Sequence, residues 1–348
     1  MSEEHKISNG IPAGGVFWQE PAEGLILVQG PDALKFLDGL VTNDLQRVGV
    51  GQAQANFLCG SKGAIMHQLV VARLDEALYV LLPQPGTNPQ LGKKGMAGHL
   101  EAFHVREEVQ MGQAPLVRVE LLGDGAAKAL EHLGLPVEGG RALLPEAFGG
   151  QAVRVFPLPL GAVPRWILLG QQEEPLREAL QANGVAAWEA VDYDDISLWA
   201  LAPRIGREFV TDVVAKAFPG EVSLYDHIAF NQGCYVGQEV HARMHYRGHP
   251  NRKLVAVKAE QALEQALPVG QEALLEGLPE ALATALEGKT LKGTPASWAP
   301  VVGGEQRGMA WVPYPLGLAC AKAPNGLPLQ LGGQAVVLQP LPAESAGR

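Results

Sequence analysis

Glycine and proline interrupt this chain so often that its regular elements have to be short. The 348 residues include 42 glycines and 26 prolines, and both residue types mark turns and connections. The sequence contains no run of about 18 apolar residues, the length that a membrane-spanning helix needs. The chain is also too long for one ordinary hydrophobic core, so we expect two or three domains of short strands and helices.

Residues 1–115 predict an α+β unit. GLILVQG at 24–30 is an apolar run typical of a buried strand, and PDALKFLDGLVTNDL at 31–45 predicts a helix, with Pro31 suited to its first turn. Further elements are expected as strands at 53–60, 64–74, 78–83 and 105–111 and as a helix at 91–103.

The rest of the chain shows two further patterns. From 116 to 185, strands and two helices predict a second α+β subdomain with helices on one face of a sheet. Segment 186–255 is expected to return to the first unit and to begin with a helix at 191–205. Short extended pieces separated by glycine and proline fill 256–348, which predicts a small antiparallel barrel or sandwich.

Charge and cysteine content narrow the class of protein. The formal net charge of −10 disfavours a nucleic-acid binder, because phosphate backbones require a basic surface and the sequence has no basic run. The three cysteines form no CxxC pair, and the N-terminal MSEEHKISNG is polar rather than a signal peptide. We therefore expect a cytoplasmic monomer in a reducing compartment, with no membrane partner.

Cys234 lies on a turn that leads into a predicted helix. In NQGCYVGQEVHARMHYRG at 231–248, glycines flank the thiol, and good helix formers follow Gly237. Unpaired N–H groups at a helix N-terminus, together with nearby arginines, favour a reactive thiolate. The alternative is a small buried apolar residue, the usual role of a lone cysteine. We interpret two other cysteines, in apolar strand-like segments, as structural: Cys59 and Cys320.

A metal site is the second alternative for this stretch. His241, His245 and His249 recur every four residues, and imidazoles at that spacing on one helix face can share a zinc ion. Gly248 and Pro250 should end the helix before the third histidine aligns, and no HExxH motif is present. We therefore expect a polar helix face and no metal.

The stretch QGCYVGQEVHAR resembles the K-G-C-Y-x-G-Q-E signature of YgfZ-type folate-binding proteins, which belong to the superfamily of the glycine cleavage T-protein, an aminomethyltransferase. Gln232 replaces the usual lysine; the other fixed positions match. The N-terminal run FLDGLVTNDL and the later SKG are similar to further family motifs, and Pro219-Gly220-Glu221 resembles the P-x-E before the signature. The resemblance implies two α+β subdomains around a central channel, plus a C-terminal β-barrel.

The same resemblance implies a ligand and a role. The ligand would be tetrahydrofolate or a one-carbon derivative, and the role would be assembly or repair of iron–sulfur clusters in client proteins, with Cys234 as the required thiol. Tyr235 would stack on the pteridine or pack the turn. Five further residues are candidates for binding the folate. Gln238 and Glu239 would face the pterin edge or fix the turn, and Arg243 would pair with Glu239 or a ligand carboxylate. Asn43 and Asp44 would line the channel or cap the first helix.

A folate-dependent one-carbon transferase is the main alternative function. Aminomethyltransferases have acidic residues on the strand after the N-terminal helix, where this chain has His67-Gln68. Without that carboxylate, a developing cation loses its electrostatic partner, so ordinary aminomethyl transfer is not expected. Lysine at 232 is also missing, and Lys62, Arg243 or Lys253 would have to replace its charge. A metal-binding or interaction module without folate is the third hypothesis.

Overall fold

The computed structural model describes residues 16–20, 24–74, 77–82, 95–143, 147–187, 190–259, 261, 263, 267–286, 290–299, 301, 304–323 and 325–342. Within these ranges the chain forms a five-stranded sheet, a six-stranded sheet and a closed six-stranded barrel. The predicted fold class is confirmed: two α+β subdomains and a small C-terminal β-barrel.

The elements follow one another in short segments. The strands are β1 (Val16–Glu20), β2 (Leu25–Gln29), β3 (Ala53–Cys59), β4 (Ile65–Leu74), β5 (Ala77–Leu81), β6 (Gln110–Gln113), β7 (Val117–Leu122), β8 (Gly140–Leu143), β9 (Ala152–Pro157), β10 (Arg165–Gly170), β11 (Ala186–Ala187), β12 (Arg252–Ala259), β13 (Ala273–Glu276), β14 (Leu291–Trp298), β15 (Gln306–Pro313), β16 (Leu327–Leu331) and β17 (Gln334–Gln339). The helices are α1 (Ala33–Asp38), α2 (Gly95–Glu101), α3 (Asp124–His132), α4 (Glu173–Ala182), α5 (Ala190–Trp199), α6 (Pro219–Val222), α7 (Gln238–Tyr246), α8 (Glu280–Ala285) and α9 (Tyr314–Lys322).

The first sheet has the antiparallel order β3-β4-β5-β2-β6. Successive side chains of a strand point to opposite faces, so alternate residues of β4 contact two different parts of the molecule. Leu69 and Val71 pack with α1 and α2 in one core, whereas Gln68 and Val70 line a cavity in the middle of the molecule.

The second sheet has the order β11-β1-β7-β10-β9-β8, and α3 and α4 cover one face of it. Val119 and Leu121 of β7 pack against these helices. The alternate residues of the same strand, Arg118 and Glu120, therefore project to the other face, toward the centre of the molecule. Strand β1, at the start of the described chain, pairs with β7 and so lies in this second sheet rather than in the first.

The barrel closes in the order β12-β15-β14-β13-β16-β17 and packs against both sheets. One buried cluster joins Phe57 of β3, Leu122 of β7 and Trp311 of β15. The indole Nε1 of Trp311 also donates a hydrogen bond to the backbone oxygen of Glu208, at 3.0 Å. These contacts hold the segment between α5 and β12, which carries the signature turn, between the barrel and the sheets.

The helix expected at 31–45 is shorter in the structure and ends at Asp38. Thr42 instead directs its hydroxyl to β3, where it accepts a hydrogen bond from the N–H of Phe57 at 2.8 Å. Side-chain bonds of this kind compete with helical ones. The helix expected at 91–103 appears as α2, and its predicted first residues 91–94 lie outside the described residues.

Two other elements end or begin differently from the prediction. The strand expected at 105–111 forms later, as β6, because the Glu107 carboxylate accepts the N–H groups of Val105 and Arg106 and folds this stretch into a loop. The helix expected at 191–205 ends at Trp199, and Leu201 then takes a left-handed φ of 52°, a conformation that stops a right-handed helix.

Candidate functional site

A cavity of about 200 Å³ lies between the two sheets; we call it the central cavity. Its lining comes from β3, β4 and β5 of the first sheet, from β7, β10 and loop 158–161 of the second, and from segments 201–204 and 224–227. Sites for drug-sized ligands are usually about 300–1,000 Å³. The central cavity therefore accommodates one ring system, and a longer ligand would have to extend from it.

The wall formed by the second sheet carries two arginines, Arg118 and Arg165. The fully buried carboxylate of Glu120 lies between Arg118 and Arg165, accepting from Nη2 of Arg118 and, at 3.1 Å, from Nη1 of Arg165. Backbone oxygens of Leu82 and Leu158 accept further guanidinium hydrogens at 2.7 and 2.8 Å. One buried carboxylate and two backbone oxygens thus hold both guanidinium groups in place on this wall.

The opposite wall is formed by Gln68, Asp226 and His227. His227 Nδ1 lies 2.7 Å from Oδ1 of Asp226, and its ring stacks on Phe57 with centroids 4.8 Å apart. Burial alone would raise the pKa of Asp226, but His227 and, more weakly, Arg165 bring that pKa below its ordinary value. The side chain of Asp226 is 49% exposed, whereas the His227 ring is buried. This wall thus combines a carboxylate, an imidazole and an amide.

A short segment connects this wall to the signature turn. Thr42 Oγ1 donates to the backbone oxygen of His227 at 2.6 Å, and Asn43 Nδ2 donates to that of Asp226 at 2.8 Å. Farther along, the Gln232 amide donates to the backbone oxygen of Val41 at 3.4 Å. Residues 226–232 therefore run beside residues 41–43, from the central cavity to the turn that carries Cys234.

The signature turn rests on loop 60–63 through two glycines. Gly237 has a left-handed φ of 88°, and a Cβ added there would lie 2.7 Å from the backbone oxygen of Gly60 and 2.9 Å from Cα of Gly63. Gly63 in turn leaves no room for a side chain against Val240. This close backbone contact explains the glycines on both segments, and it presents Cys234 as a free, exposed thiol.

The other predicted residues of the turn lie in different environments. Tyr235 is buried, with its hydroxyl 3.1 Å from Nδ1 of His241, and burial raises the pKa of the phenol. Glu239 and Arg243 pair with each other at 2.8 Å on the outer face of α7, where they are 84% and 71% exposed. Gln238, half-buried, is the first residue of α7. None of these four residues lines the central cavity.

Asn43 and Asp44 make local structural contacts. The Asn43 side chain donates to backbone oxygens of Ala55 and Asp226, as part of the segment contact described above. Asp44 caps a short 3-10 helix, Leu45–Arg47, by accepting the N–H of Gln46 at 3.1 Å. Neither residue lines the central cavity.

The three histidines of the metal alternative have different partners. His241 Nε2 lies 2.6 Å from the backbone oxygen of Gly63, His245 stacks on Phe230, and His249 stacks on Tyr314. Within the described part of the chain, no three His, Cys, Asp or Glu side chains come close enough to hold a metal ion.

The other two thiols, Cys59 and Cys320, are buried, and burial raises the pKa of Cys59 far above its ordinary value. Both are therefore in the surroundings expected of structural cysteines.

Sequence reasoning missed most of the cavity. Of His67 and Gln68, which stand where aminomethyltransferases have acidic residues, only Gln68 lines the cavity. The sequence argument that this site lacks a carboxylate is incomplete, because Asp226 supplies one from a different segment. The sequence feature that could have indicated this carboxylate is the pair Asp226-His227, a few residues before the signature. Arg118 and Arg165 gave no such signal, since each is one polar residue in an ordinary strand.

Comparison with known proteins gives relatives of three kinds. The GCVT N-terminal domain family model matches residues 21–133. The human protein named iron-sulfur cluster assembly factor IBA57, mitochondrial, is 27% identical over 263 residues, which are 72% of this chain and 68% of that protein. The tRNA-modifying protein YgfZ of Vibrio vulnificus is 25% identical over 250 residues, 70% of each chain.

A solved structure shows the same fold over nearly the whole chain. Glycine cleavage system aminomethyltransferase T from Bartonella henselae aligns with 94% of this chain and 86% of its own length, with a TM-score of 0.68 and 20% sequence identity. Among the described residues, no helix has the length and apolar character to cross a membrane.

Proposed function

We propose that this chain is a cytoplasmic protein that binds tetrahydrofolate, or a one-carbon derivative, and supports iron–sulfur cluster assembly or repair. The proposal starts from its family: the chain belongs to the glycine cleavage T-protein superfamily, with YgfZ and IBA57 among its relatives. The folate lies in the central cavity. Cys234 is the functional thiol, and it acts at the surface on client proteins.

One observation carries this proposal: segment 226–234 begins in the central cavity and ends at an exposed thiol. The hydrogen bonds of Thr42 and Asn43 fix the cavity end, and the contact of Gly237 with loop 60–63 fixes the other. A ligand that contacts the cavity end therefore acts on the same segment that presents Cys234.

The chemistry of the cavity suits a folate. Apolar side chains such as Val70 and Leu158 offer a surface for a ring system. Arg118 and Arg165 provide polar groups beside that surface, where a heterocyclic ring has its own polar atoms. When bound, the folate would supply a carrier for one-carbon units.

Aminomethyl transfer is the alternative function, because the Asp226 carboxylate lines the cavity. Its Oδ1 already lies 2.7 Å from Nδ1 of His227, so we propose that it orients the imidazole rather than stabilises a cationic intermediate. Incubation with tetrahydrofolate and a methylamine donor should give no methylene-tetrahydrofolate, and turnover at rates typical of enzymes would reject this part of the proposal.

The position of the folate is tested by filling the cavity. Val70→Phe adds bulk to a residue that lines it, and we expect tetrahydrofolate affinity to fall at least tenfold. Val50→Phe is the matched control, because Val50 is 59% exposed on a loop outside the cavity. Equal affinity of both variants would place the ligand elsewhere.

The role of the thiol is tested in cells that lack their own protein of this kind. Cys234→Ala should fail to restore the activity of an iron–sulfur enzyme, although the exposed side chain contributes little to folding. Cys234→Ser, which keeps the size but not the thiol chemistry, should fail equally. Full restoration by either variant would remove Cys234 from the mechanism.

A further inference from the structure

Helix α7 has one continuous outer face that begins beside the signature turn. The residues of this face recur at helical spacing and line an open depression of about 390 Å³: Glu239, Ala242, Arg243, Tyr246 and Arg247. The helix starts at Gln238, shortly after Cys234, and runs about 14 Å to Tyr246. The exposed thiol therefore lies at one end of these five residues, which we call the α7 face.

The charges on and beside the α7 face are mainly positive, although the protein as a whole has a formal net charge of −10. The Glu239 carboxylate pairs with Arg243 at 2.8 Å, and Arg247 has no carboxylate partner among the described residues. Exposed Lys62 adds a second such cation from loop 60–63, on which the signature turn rests. The region around the thiol is thus cationic on an acidic protein.

An aromatic cluster borders the same face. Phe230 stacks on His245 with centroids 3.8 Å apart, and the ring of Tyr246 meets both edge-on, at 6.2 and 4.7 Å. Tyr246 is nevertheless 65% exposed. Tyrosine and arginine are enriched among the residues that contribute most to protein–protein binding, and a side chain that is already ordered loses little entropy on binding. The α7 face therefore has the composition of a docking surface.

The charges beside the thiol indicate which partner fits. A second copy of the chain has the same cations on the same face, so two α7 faces repel each other. A nucleic acid needs more cations than this region offers, because its affinity comes from neutralising many phosphates. A client protein that holds an iron–sulfur cluster with cysteine thiolates has negative charge at that site. Acidic residues beside such a site would complement Lys62 and Arg247.

We propose that the α7 face, together with Lys62, is a docking surface for an acidic segment of a client protein and directs that segment to Cys234. The identity of the partner as an iron–sulfur client rests on the proposed function; the preference for acidic segments rests on the charges and on exposed Tyr246. Local cations raise the concentration of an acidic partner at the surface. An extended segment of four residues spans about 13 Å, which matches the length of α7.

The test measures how the charge of a peptide changes the rate of a reaction at Cys234. The probe is a cysteine with four glutamates on each side, activated as its 2-thiopyridyl disulfide, and a second probe has glutamines instead. The Cys234 thiolate attacks the peptide sulfur, a mixed disulfide forms, and the thiopyridyl sulfur leaves with the bonding electron pair and is protonated to 2-thiopyridone, whose absorbance is recorded. Cys59 and Cys320 are buried and do not compete.

The ionic strength restricts the test to local charges. At about 0.1 M, charges more than about 10 Å away are largely screened, so acidic residues elsewhere on the chain contribute little. Under these conditions the glutamate probe should react with the wild type at least about threefold faster than the glutamine probe. At about 1 M salt, where the screening length is about 3 Å, the two rates should become equal.

Two variants with the same change in net charge locate the effect. Lys62→Gln/Arg247→Gln should bring the rates of the two probes together. Lys128→Gln/Arg177→Gln is the matched control, because it removes two exposed charges from α3 and α4, which cover the second sheet; it should keep the preference. Equal rates of the two probes with the wild type, or an equal loss of preference in both variants, would overturn the proposal.

Two further measurements distinguish the partner and the function. Fluorescence anisotropy with a labelled transfer RNA should show no binding tighter than about 100 µM at physiological salt; micromolar binding that Lys62→Gln/Arg247→Gln loses would overturn the assignment to an acidic protein. In the cells described above, this variant should restore the iron–sulfur enzyme less than the matched control, and full restoration would overturn its docking role. If the wild type restores nothing, the proposed function fails, whereas the probe rates decide the acidic preference independently.

Discussion

Replacing Gly237 by alanine should destabilise the protein through the contact between the signature turn and loop 60–63. The φ of 88° is left-handed, and the new Cβ would meet two backbone atoms, at 2.7 and 2.9 Å. Neither atom belongs to a flexible side chain, so one of the two segments would have to move.

The magnitude has two parts. The left-handed conformation costs a non-glycine residue about 1–2 kcal/mol, and overpacking of a close contact costs about 1–3 kcal/mol more. We therefore expect Gly237→Ala to lower the free energy of unfolding by roughly 2–5 kcal/mol, which corresponds to roughly 4–20 °C in the midpoint of a domain of about 200 residues. Scanning calorimetry measures this shift.

Gly233→Ala is the control within the same turn. No heavy atom lies within 4 Å of its added Cβ, and its φ is not left-handed. Alanine there should change stability by under about 1 kcal/mol, in the stabilising direction, because it restricts the unfolded chain. Equal losses in both variants, or an unchanged midpoint in Gly237→Ala, would refute the close contact.

Three further outcomes follow from burial and hydrogen bonding. Iodoacetamide should modify one thiol of the native protein, Cys234, and the two buried cysteines only after unfolding; rapid reaction of all three in mass spectra would contradict the burial. Tyr235→Phe should cost about 1–3 kcal/mol in chemical denaturation, because Nδ1 of buried His241 loses its donor; no loss would mean that this bond is absent. Burial, and more weakly the neighbouring His99, lower the pKa of His67 to about 3. The unfolded state then binds a proton that the folded state does not, so stability falls as pH drops below about 6.5, by about 2 kcal/mol at pH 5. His67→Leu should lose that part of the acid sensitivity, and an identical pH dependence of unfolding in the variant would disprove the burial effect.

The parts of the fold that were predictable depend on local patterns. The turn before α7 and the start of that helix follow from glycine and helix-forming residues within a few positions of Gly237. The helix predicted at 31–45 is longer than the observed helix, because its end depends on Thr42. The hydroxyl of Thr42 has its partners on Phe57 and His227, far along the chain. No local pattern contains that information.

In the candidate site, too, local motifs were recognisable from the sequence, whereas residues brought together by the fold were not. Cys234 was identifiable because its motif is contiguous, and the structure leaves it exposed. The central cavity is assembled from both sheets and two later segments, so the positions of Arg118 and Arg165 depend on strand pairing. For Arg243 two partners were expected, Glu239 or a ligand carboxylate, and in the structure helical spacing directs Glu239 and Arg243 outward to each other.

The most direct test of the account is titration calorimetry of tetrahydrofolate against the wild type and Cys234→Ala. Folate in the central cavity and a separate surface thiol predict saturable binding, one ligand per chain, with the same affinity in both proteins. Binding lost only in the variant would make the thiol part of the folate site. The absence of binding to either protein would contradict the central claim that this cavity is a folate site.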